Sequence, residues 1–122
     1  MSAEHLKIGA KGEDLAVEFL KAKKYSILGR NYKTKFGEID IIARKSGVWV
    51  FVEVKTMVAG GSLRPEDNLH VRKQGRFLRS AKIYLVEKKL ADIPWQIDLL
   101  AIDVDENGDV KEIRHLEKVI CD

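Results

Sequence analysis

The chain has 122 residues, a formal net charge of +3 and 45% hydrophobic residues. This length suits one domain with one core, and apolar residues spread along the whole chain exclude a disordered protein. Residues 1–11 lack a signal-peptide core, and the apolar runs are too short to cross a membrane. The single cysteine, Cys121, excludes an internal disulfide. We therefore expect residues 1–122 to form one cytoplasmic domain without membrane contact.

The hydrophobic pattern predicts two helices and five strands in the order α-β-β-β-α-β-β. Helical spacing of apolar residues predicts helices over residues 8–24 and 65–89. Period-two patterns and turn residues predict strands over residues 25–31, 38–44, 48–56, 95–103 and 110–115. Residues 57–65 are predicted to be a flexible loop, and Cys121 is expected in a fraying terminal segment. A mixed sheet flanked by helices, an α/β fold, satisfies this order.

Two charged residues lie at the far end of the most apolar strand. Residues 48–52 are apolar on both faces, which is typical of a central strand covered on both sides. Because side chains alternate along a strand, Glu53 and Lys55 share a face with Phe51. Isolated buried charges are costly, so both residues need partners, a metal ion or water. Taken alone, however, a Glu-x-Lys pair on a strand is more often a weak surface salt bridge.

A second carboxylate strengthens the functional interpretation. The predicted hairpin brings Asp40 beside the strand that carries Glu53, and two converging carboxylates repel each other unless a cation lies between them. Such hard oxygen ligands suit Mg²⁺ or Mn²⁺. Lys55 can reach the same spot and act on a water or a phosphate. Glu13, in the first helix, can point toward the sheet, although an acidic residue there can also simply complement the helix dipole. Glu38 is expected to be out of phase with Asp40, at the strand mouth.

Three motifs together resemble the YraN-like family. They are Gly9-x-x-Gly12-Glu13, Gly37-Glu38-Ile39-Asp40 and Phe51-Val52-Glu53-Val54-Lys55-Thr56. The resemblance covers residues 9–103, and Arg30-Asn31 also looks like the family pattern. This family is similar to Holliday-junction resolvases and to the PD-(D/E)XK nuclease superfamily. The resemblance therefore implies a restriction-endonuclease-like fold and a Mg²⁺- or Mn²⁺-dependent DNA endonuclease.

The resemblance also implies roles for individual residues. Asp40 and Glu53 would be metal ligands, with the backbone carbonyl of Val54 as a third. Lys55 would be the catalytic lysine, and Glu13 would support the metal site directly or through water. Lys73 could help hold a phosphate. Met57 departs from the family, which usually has arginine there, and Asp98 is expected to satisfy backbone or lysine groups rather than to act in catalysis.

Basic residues indicate where DNA would bind. Acidic residues nearly balance basic ones, so total charge is a weak argument for nucleic acid. The candidate phosphate contacts lie in a turn and in the second helix: Lys33, Lys35, Arg72, Lys73, Arg76 and Arg79. Such clusters are equally often ordinary solvated faces. Trp49 and Trp95 are expected in the core, whereas Tyr32, Phe36 or Trp95 could stack on unpaired bases if exposed.

Three functions remain open at this point. The leading hypothesis is an endonuclease that acts on DNA, including branched or otherwise structured DNA, recognised by its backbone or shape. The second is a non-catalytic nucleic-acid-binding or adaptor protein on a nuclease scaffold. The third is a structural or dimerising protein, since the C-terminal hairpin could provide the edge of a homodimer. The two converging carboxylates favour the first hypothesis.

Overall fold

The computed structural model describes the backbone of residues 3–58 and 71–121 and the side chains of residues 12–58 and 75–120. The described elements are α1 (Ala3–Ala22), β1 (Ser26–Thr34), β2 (Gly37–Lys45), β3 (Val48–Val58), α2 (Val71–Glu87), β4 (Trp95–Val104) and β5 (Val110–Cys121). This confirms the predicted α/β class and the predicted order of elements. No helix in these ranges is both long and apolar enough to cross a membrane.

The five strands form one mixed sheet in the spatial order β1-β2-β3-β4-β5. Short turns join β1 to β2, β2 to β3 and β4 to β5, and these pairs are antiparallel. Strands β3 and β4 are parallel, and the segment between them contains α2. Parallel neighbours need such a long crossover connection. The sheet therefore has β3 at its centre, and the predicted charged residues, Glu53 and Lys55, lie within that strand.

Each face of the sheet is covered by one helix. Ala16 and Leu20 of α1 pack with Val50 and Val52 of β3 in one hydrophobic core. On the opposite face, α2 packs against the side of β3 that carries Phe51. The alternation predicted for β3 is thus confirmed, and it places Glu53 on the α2 side of the sheet, directly beyond Phe51.

Three strands extend further than the sequence indicated: β1 reaches Thr34 rather than residue 31, and β3 and β5 are extended where they pair with β4. Met57 and Val58 continue β3 in register with Asp103 and Val104, although we predicted a loop from residue 57. At the other end, Cys121 is still part of β5 and lies opposite Gln96, so the prediction of a fraying segment was wrong. Pairing with β4 holds both extensions. The rest of the predicted loop and the first residues of the predicted second helix, 59–70, lie outside the described residues.

Gly12 allows α1 to lie against the end of β3. A Cβ atom built on Gly12 would stand 2.1 Å from Thr56 Oγ1, 3.2 Å from its Cβ and 3.4 Å from its Cγ2. Rotation of the threonine would only exchange one of these contacts for another, and a β-branched side chain has few rotamers available. This close approach keeps the next residue of α1, Glu13, near the sheet.

We predict that Gly12→Ala lowers the free energy of unfolding by about 1–3 kcal/mol, the usual cost of overpacking. Urea denaturation would measure this change. Gly75→Ala is the matched control, because Gly75 is also helical and has open space where its Cβ would be; it should be neutral or stabilising by up to about 1 kcal/mol. Thr56→Ala added to Gly12→Ala should recover part of the loss. Equal stability of the two alanine variants would contradict the packing argument.

Candidate metal centre

The site begins where β2 and β3 stop pairing. Their register pairs run from Lys45–Val48 to Ile41–Val52, although both strands continue beyond this point. There the carboxylate of Asp40 takes the place of a backbone partner, since its Oδ2 accepts a hydrogen bond of 2.8 Å from the amide of Val54. A side chain therefore joins β2 to β3 at this position, where a regular strand pair would continue its backbone hydrogen bonds.

A cavity of about 320 Å³ lies at this point, on the α2 side of the sheet. We call it the central cavity, and its lining residues are Phe36, Gly37, Glu38, Asp40, Glu53, Val54, Arg76 and Phe77. It collects residues from the β1–β2 turn, β2, β3 and α2. Two of the predicted metal ligands, Asp40 and Glu53, therefore face one space, together with one of the predicted phosphate-binding arginines.

Three carboxylates converge beside this cavity. One oxygen from each of Glu13, Glu38 and Asp40 lies within 4.8 Å of the others, and we call these three residues the acidic cluster. The sequence expectation that Glu38 is out of phase with Asp40 was wrong, because residues two apart on a strand share a face. The cluster could hold a metal ion, since carboxylate oxygens are the ligands that hard divalent cations prefer.

Glu53 and Lys55 lie next to each other on β3, where its pairing with β2 has ended. Glu53 is only 6% exposed, and the Nζ of Lys55 is 3.7 Å from its Oε1. The pair is thus partly buried, unlike the surface salt bridge that we weighed as the alternative. Val54 lines the central cavity between them, and its amide is held by Asp40. The predicted ligand role of the Val54 carbonyl stays a prediction.

The electrostatics of the site favour protonation or a bound cation. Burial is the largest cause that raises the pKa of Asp40 from 3.8 to about 7. The hydrogen bond from Val54 acts in the opposite direction, and the charges of the three neighbouring glutamates add to the rise. Burial likewise raises the pKa of Glu13, with a further contribution from Glu38, while Arg30 lowers it. A partly buried carboxylate whose pKa is raised by burial and by neighbouring carboxylates has too little positive charge around it.

Asn31 organises the acidic cluster, and the sequence analysis assigned it no role. With its side-chain amide oriented to satisfy both acceptors, its nitrogen donates to Glu13 Oε1 and to Glu38 Oε1, each at 2.7 Å. Asn31 has a positive φ of 52°, a left-handed conformation that asparagine tolerates better than most residues. The adjacent Arg30 pairs with Asp14 at 2.7 Å. The sequence signal that could have identified Asn31 was the resemblance of Arg30-Asn31 to the family pattern.

The remaining predicted site residues surround the cavity to different extents. Arg76 is exposed and lines it, while Arg79, Lys33 and Lys35 are exposed nearby on α2, β1 and the following turn. The side chains of Arg72 and Lys73 lie outside the described residues. Four of the six candidate phosphate contacts can therefore be placed, and they lie on the α2 side of the sheet or at the β1–β2 turn.

Asp98 serves the fold, as the sequence analysis expected. It is fully buried, and its Oδ1 accepts hydrogen bonds of 2.9 Å from Gln96 Nε2 and from the amide of Lys118. Its Oδ2 lies 2.7 Å from Nε2 of His115. This network joins β4 to β5 where their register shifts, away from the acidic cluster.

The fold and the site define an α/β protein with a mixed five-stranded sheet and an acidic cluster, at an interrupted strand pair, that could hold a metal ion. The family model described as "Uncharacterised protein family UPF0102" matches residues 12–102. The chain belongs to this family, which confirms the resemblance to the YraN-like proteins.

Curated relatives agree with this assignment over almost their whole length. A UPF0102 protein of Dictyoglomus turgidum is 40% identical over 109 residues, which cover 89% of this chain and 92% of the relative. A UPF0102 protein of Alkaliphilus oremlandii is 40% identical over 111 residues, or 91% and 95% of the two chains. A third, from Geotalea uraniireducens, is 38% identical over 115 residues, or 94% and 90%.

We predict that Asp40→Asn stabilises the metal-free protein. A folded-state pKa raised above the unfolded value means that ionising Asp40 costs stability as pH rises from about 4 toward 7. Asparagine keeps an acceptor for Val54 without the charge. In EDTA, the variant should therefore gain roughly 1–2 kcal/mol over wild type at pH 8, after discounting for partial exposure.

Thermal melts from pH 4 to pH 8 would measure this gain. It should be small at pH 4, grow toward pH 7 and stay constant above it. Asp92→Asn is the control, because Asp92 is exposed in a turn away from the site. A gain of the same size in both variants, or none for Asp40→Asn, would contradict the repulsion argument.

Proposed function

We propose that this protein is a metal-dependent DNA endonuclease that hydrolyses phosphodiester bonds. The observation that carries the proposal is the convergence of Glu13, Glu38 and Asp40 beside the buried Glu53–Lys55 pair, at a cavity that also contains Arg76. Family membership adds support, since the family's motifs resemble those of PD-(D/E)XK nucleases. A binding module has no need for a carboxylate, Asp40, whose pKa is raised by burial and by three neighbouring glutamates.

The donor set fits Mg²⁺ or Mn²⁺. All candidate side-chain ligands are carboxylates, which suit hard cations, and the described part of the site contains no sulfur or imidazole that would favour a softer metal. A divalent cation would also relieve the repulsion that raises the pKa of Asp40. We assign Asp40, Glu53 and the Val54 carbonyl as ligands, with Glu13 supporting the ion directly or through water.

In the proposed hydrolysis, each residue of the site has a separate role. When bound, the ion would polarise the scissile phosphate and make a water molecule a better nucleophile. Lys55, held beside Glu53, would orient the attacking water and stabilise negative charge on the phosphate. Asn31 would keep Glu13 and Glu38 in place through its two hydrogen bonds. Arg76, at the cavity wall, would contact a phosphate of the substrate.

The surroundings of the cavity suit the DNA backbone. Lys33, Lys35, Arg76 and Arg79 are exposed, and such residues bind phosphates through charge, with release of counterions. Backbone contacts position a nucleic acid but do not read its sequence. We therefore propose that the substrate is selected by its shape, with branched or partly unpaired DNA as the leading class.

Cleavage assays would test the proposal directly. Labelled linear, single-stranded, flapped and four-way DNA would be incubated with Mg²⁺ or Mn²⁺ and with wild type, Asp40→Asn or Lys55→Ala. We expect metal-dependent cleavage by wild type and a loss of about 100-fold or more in both variants. Lys111→Ala, at an exposed site on β5, is the control and should cleave normally. Absence of cleavage, with equal DNA binding by all proteins, would instead support the non-catalytic binding protein.

Metal binding can be tested without DNA. A ligand that binds only the folded state stabilises it by RT ln(1 + [L]/Kd), or about 2.7 kcal/mol at 100 times Kd. We expect Mg²⁺ or Mn²⁺ to raise the melting temperature of wild type but not of Glu53→Gln. Glu106→Gln, in the exposed β4–β5 turn, should respond like wild type. A rise of equal size in Glu53→Gln would remove Glu53 from the ligand set.

A further inference from the structure

A second cavity lies beside the central one. It has a volume of about 450 Å³, and we call it the side cavity. Its walls include Tyr32, Lys33, Lys35 and Phe36 from the first hairpin and Glu87 from α2. Phe36 also lines the central cavity, so this one ring stands between the two spaces. Whatever occupies the side cavity would therefore be a direct neighbour of whatever reacts in the central cavity.

Phe36 is held in a fixed place although it is outside both hydrophobic cores. It sits in the two-residue turn between β1 and β2, and its amide donates to Thr34 Oγ1 at 3.1 Å. The same hydroxyl is 2.7 Å from Oγ of Ser80, a fully buried residue of α2. The turn is thereby tied to the helix. The ring of Phe36, which is partly buried, therefore lies in a turn that hydrogen bonds anchor to α2.

Cations lie over the ring of Phe36. The Nζ of Lys35 is 5.2 Å from the ring centroid, and the guanidinium carbon of Arg79 is 5.3 Å from it. Such contacts orient the ring, and they also put positive charge next to an aromatic ring that lines both cavities. An aromatic platform flanked by cations is the combination that binds single-stranded nucleic acids, because bases stack on the ring while cations hold phosphates.

The side cavity has two chemically different parts. Lys33 and Lys35 supply positive charge next to Phe36, whereas the Tyr32 hydroxyl donates to the carboxylate of Glu87. Tyr32 is itself fixed by an edge-to-face contact with Tyr84, with centroids 5.2 Å apart. A nucleotide has the matching character, since its phosphate would lie by the lysines and its base could hydrogen-bond to the hydroxyl–carboxylate pair.

We propose that the side cavity binds an unpaired DNA nucleotide whose base stacks on Phe36, directly next to the phosphate in the central cavity. A base inside a duplex offers no free face to a ring in a cavity wall, so the base must be unpaired. The position of the scissile phosphate rests on the proposed function, but the stacking does not require cleavage. The substrate class is thus DNA with an unpaired base beside the cut.

Binding measurements in EDTA would test the stacking without any cleavage. Fluorescence anisotropy would compare a 12-nucleotide single strand, roughly the length of a small single-strand site, with a blunt duplex of the same sequence. We expect Phe36→Ala to weaken binding of the single strand at least about fivefold and binding of the duplex less than twofold. Phe36→Trp should restore single-strand binding. Val86→Ala, at a 72% exposed apolar position of α2, is the control and should change neither.

The outcomes separate this inference from the proposed function. Equal loss on both DNAs, or no loss in a Phe36→Ala protein that melts like wild type, would overturn the stacking role, as would failure of wild type to bind the single strand. Metal-dependent cleavage alongside any of these results would leave the nuclease standing. Selective loss of single-strand binding, in a protein that never cleaves, would uphold the nucleotide site and reject the nuclease.

Discussion

One hydrogen bond, from the amide of Val54 to the carboxylate of Asp40, determines the form of the whole site. A regular antiparallel pair would satisfy that amide with a backbone carbonyl. Here a side chain does so, and the paired register of β2 and β3 ends at Ile41 and Val52. The central cavity lies at this interruption, so the contact that ends the ladder also places Asp40 next to Glu53.

The same arrangement makes the site electrostatically unfavourable in the absence of a cation. Burial and three neighbouring glutamates raise the pKa of Asp40 to about 7, which is a cost to folding at neutral pH. Asn31 hydrogen-bonds two of these glutamates, Glu13 and Glu38, and Arg30 lowers the pKa of Glu13. A divalent cation bound by the acidic cluster, as proposed above, would remove this cost by supplying the missing positive charge.

The sequence predicted the features that follow from simple periodicity. Alternation along β3 correctly placed Phe51 and Glu53 on one face, which the structure shows to be the α2 face, and the hairpin turn placed Asp40 beside them. The same alternation puts Glu38 and Asp40 on one face, so the prediction that they are out of phase misapplied it. Features that depend on irregular backbone were not predictable in this way: Asn31 reaches two glutamates from a left-handed conformation. Likewise, β5 continues to its end past Lys118, which has a φ of 55°, in a region of shifted register.

Two aspartates within the sheet differ in how fully their carboxylate oxygens are hydrogen-bonded. Asp98 is fully buried, and its two oxygens are engaged by a side-chain amide, a backbone amide and an imidazole. Asp40 has one backbone donor among its described hydrogen bonds, and it faces carboxylates rather than donors. Buried polar groups that serve a fold are normally satisfied. The described hydrogen bonds of Asp40 therefore leave lone pairs open, and these are the lone pairs that the proposed metal ion would use.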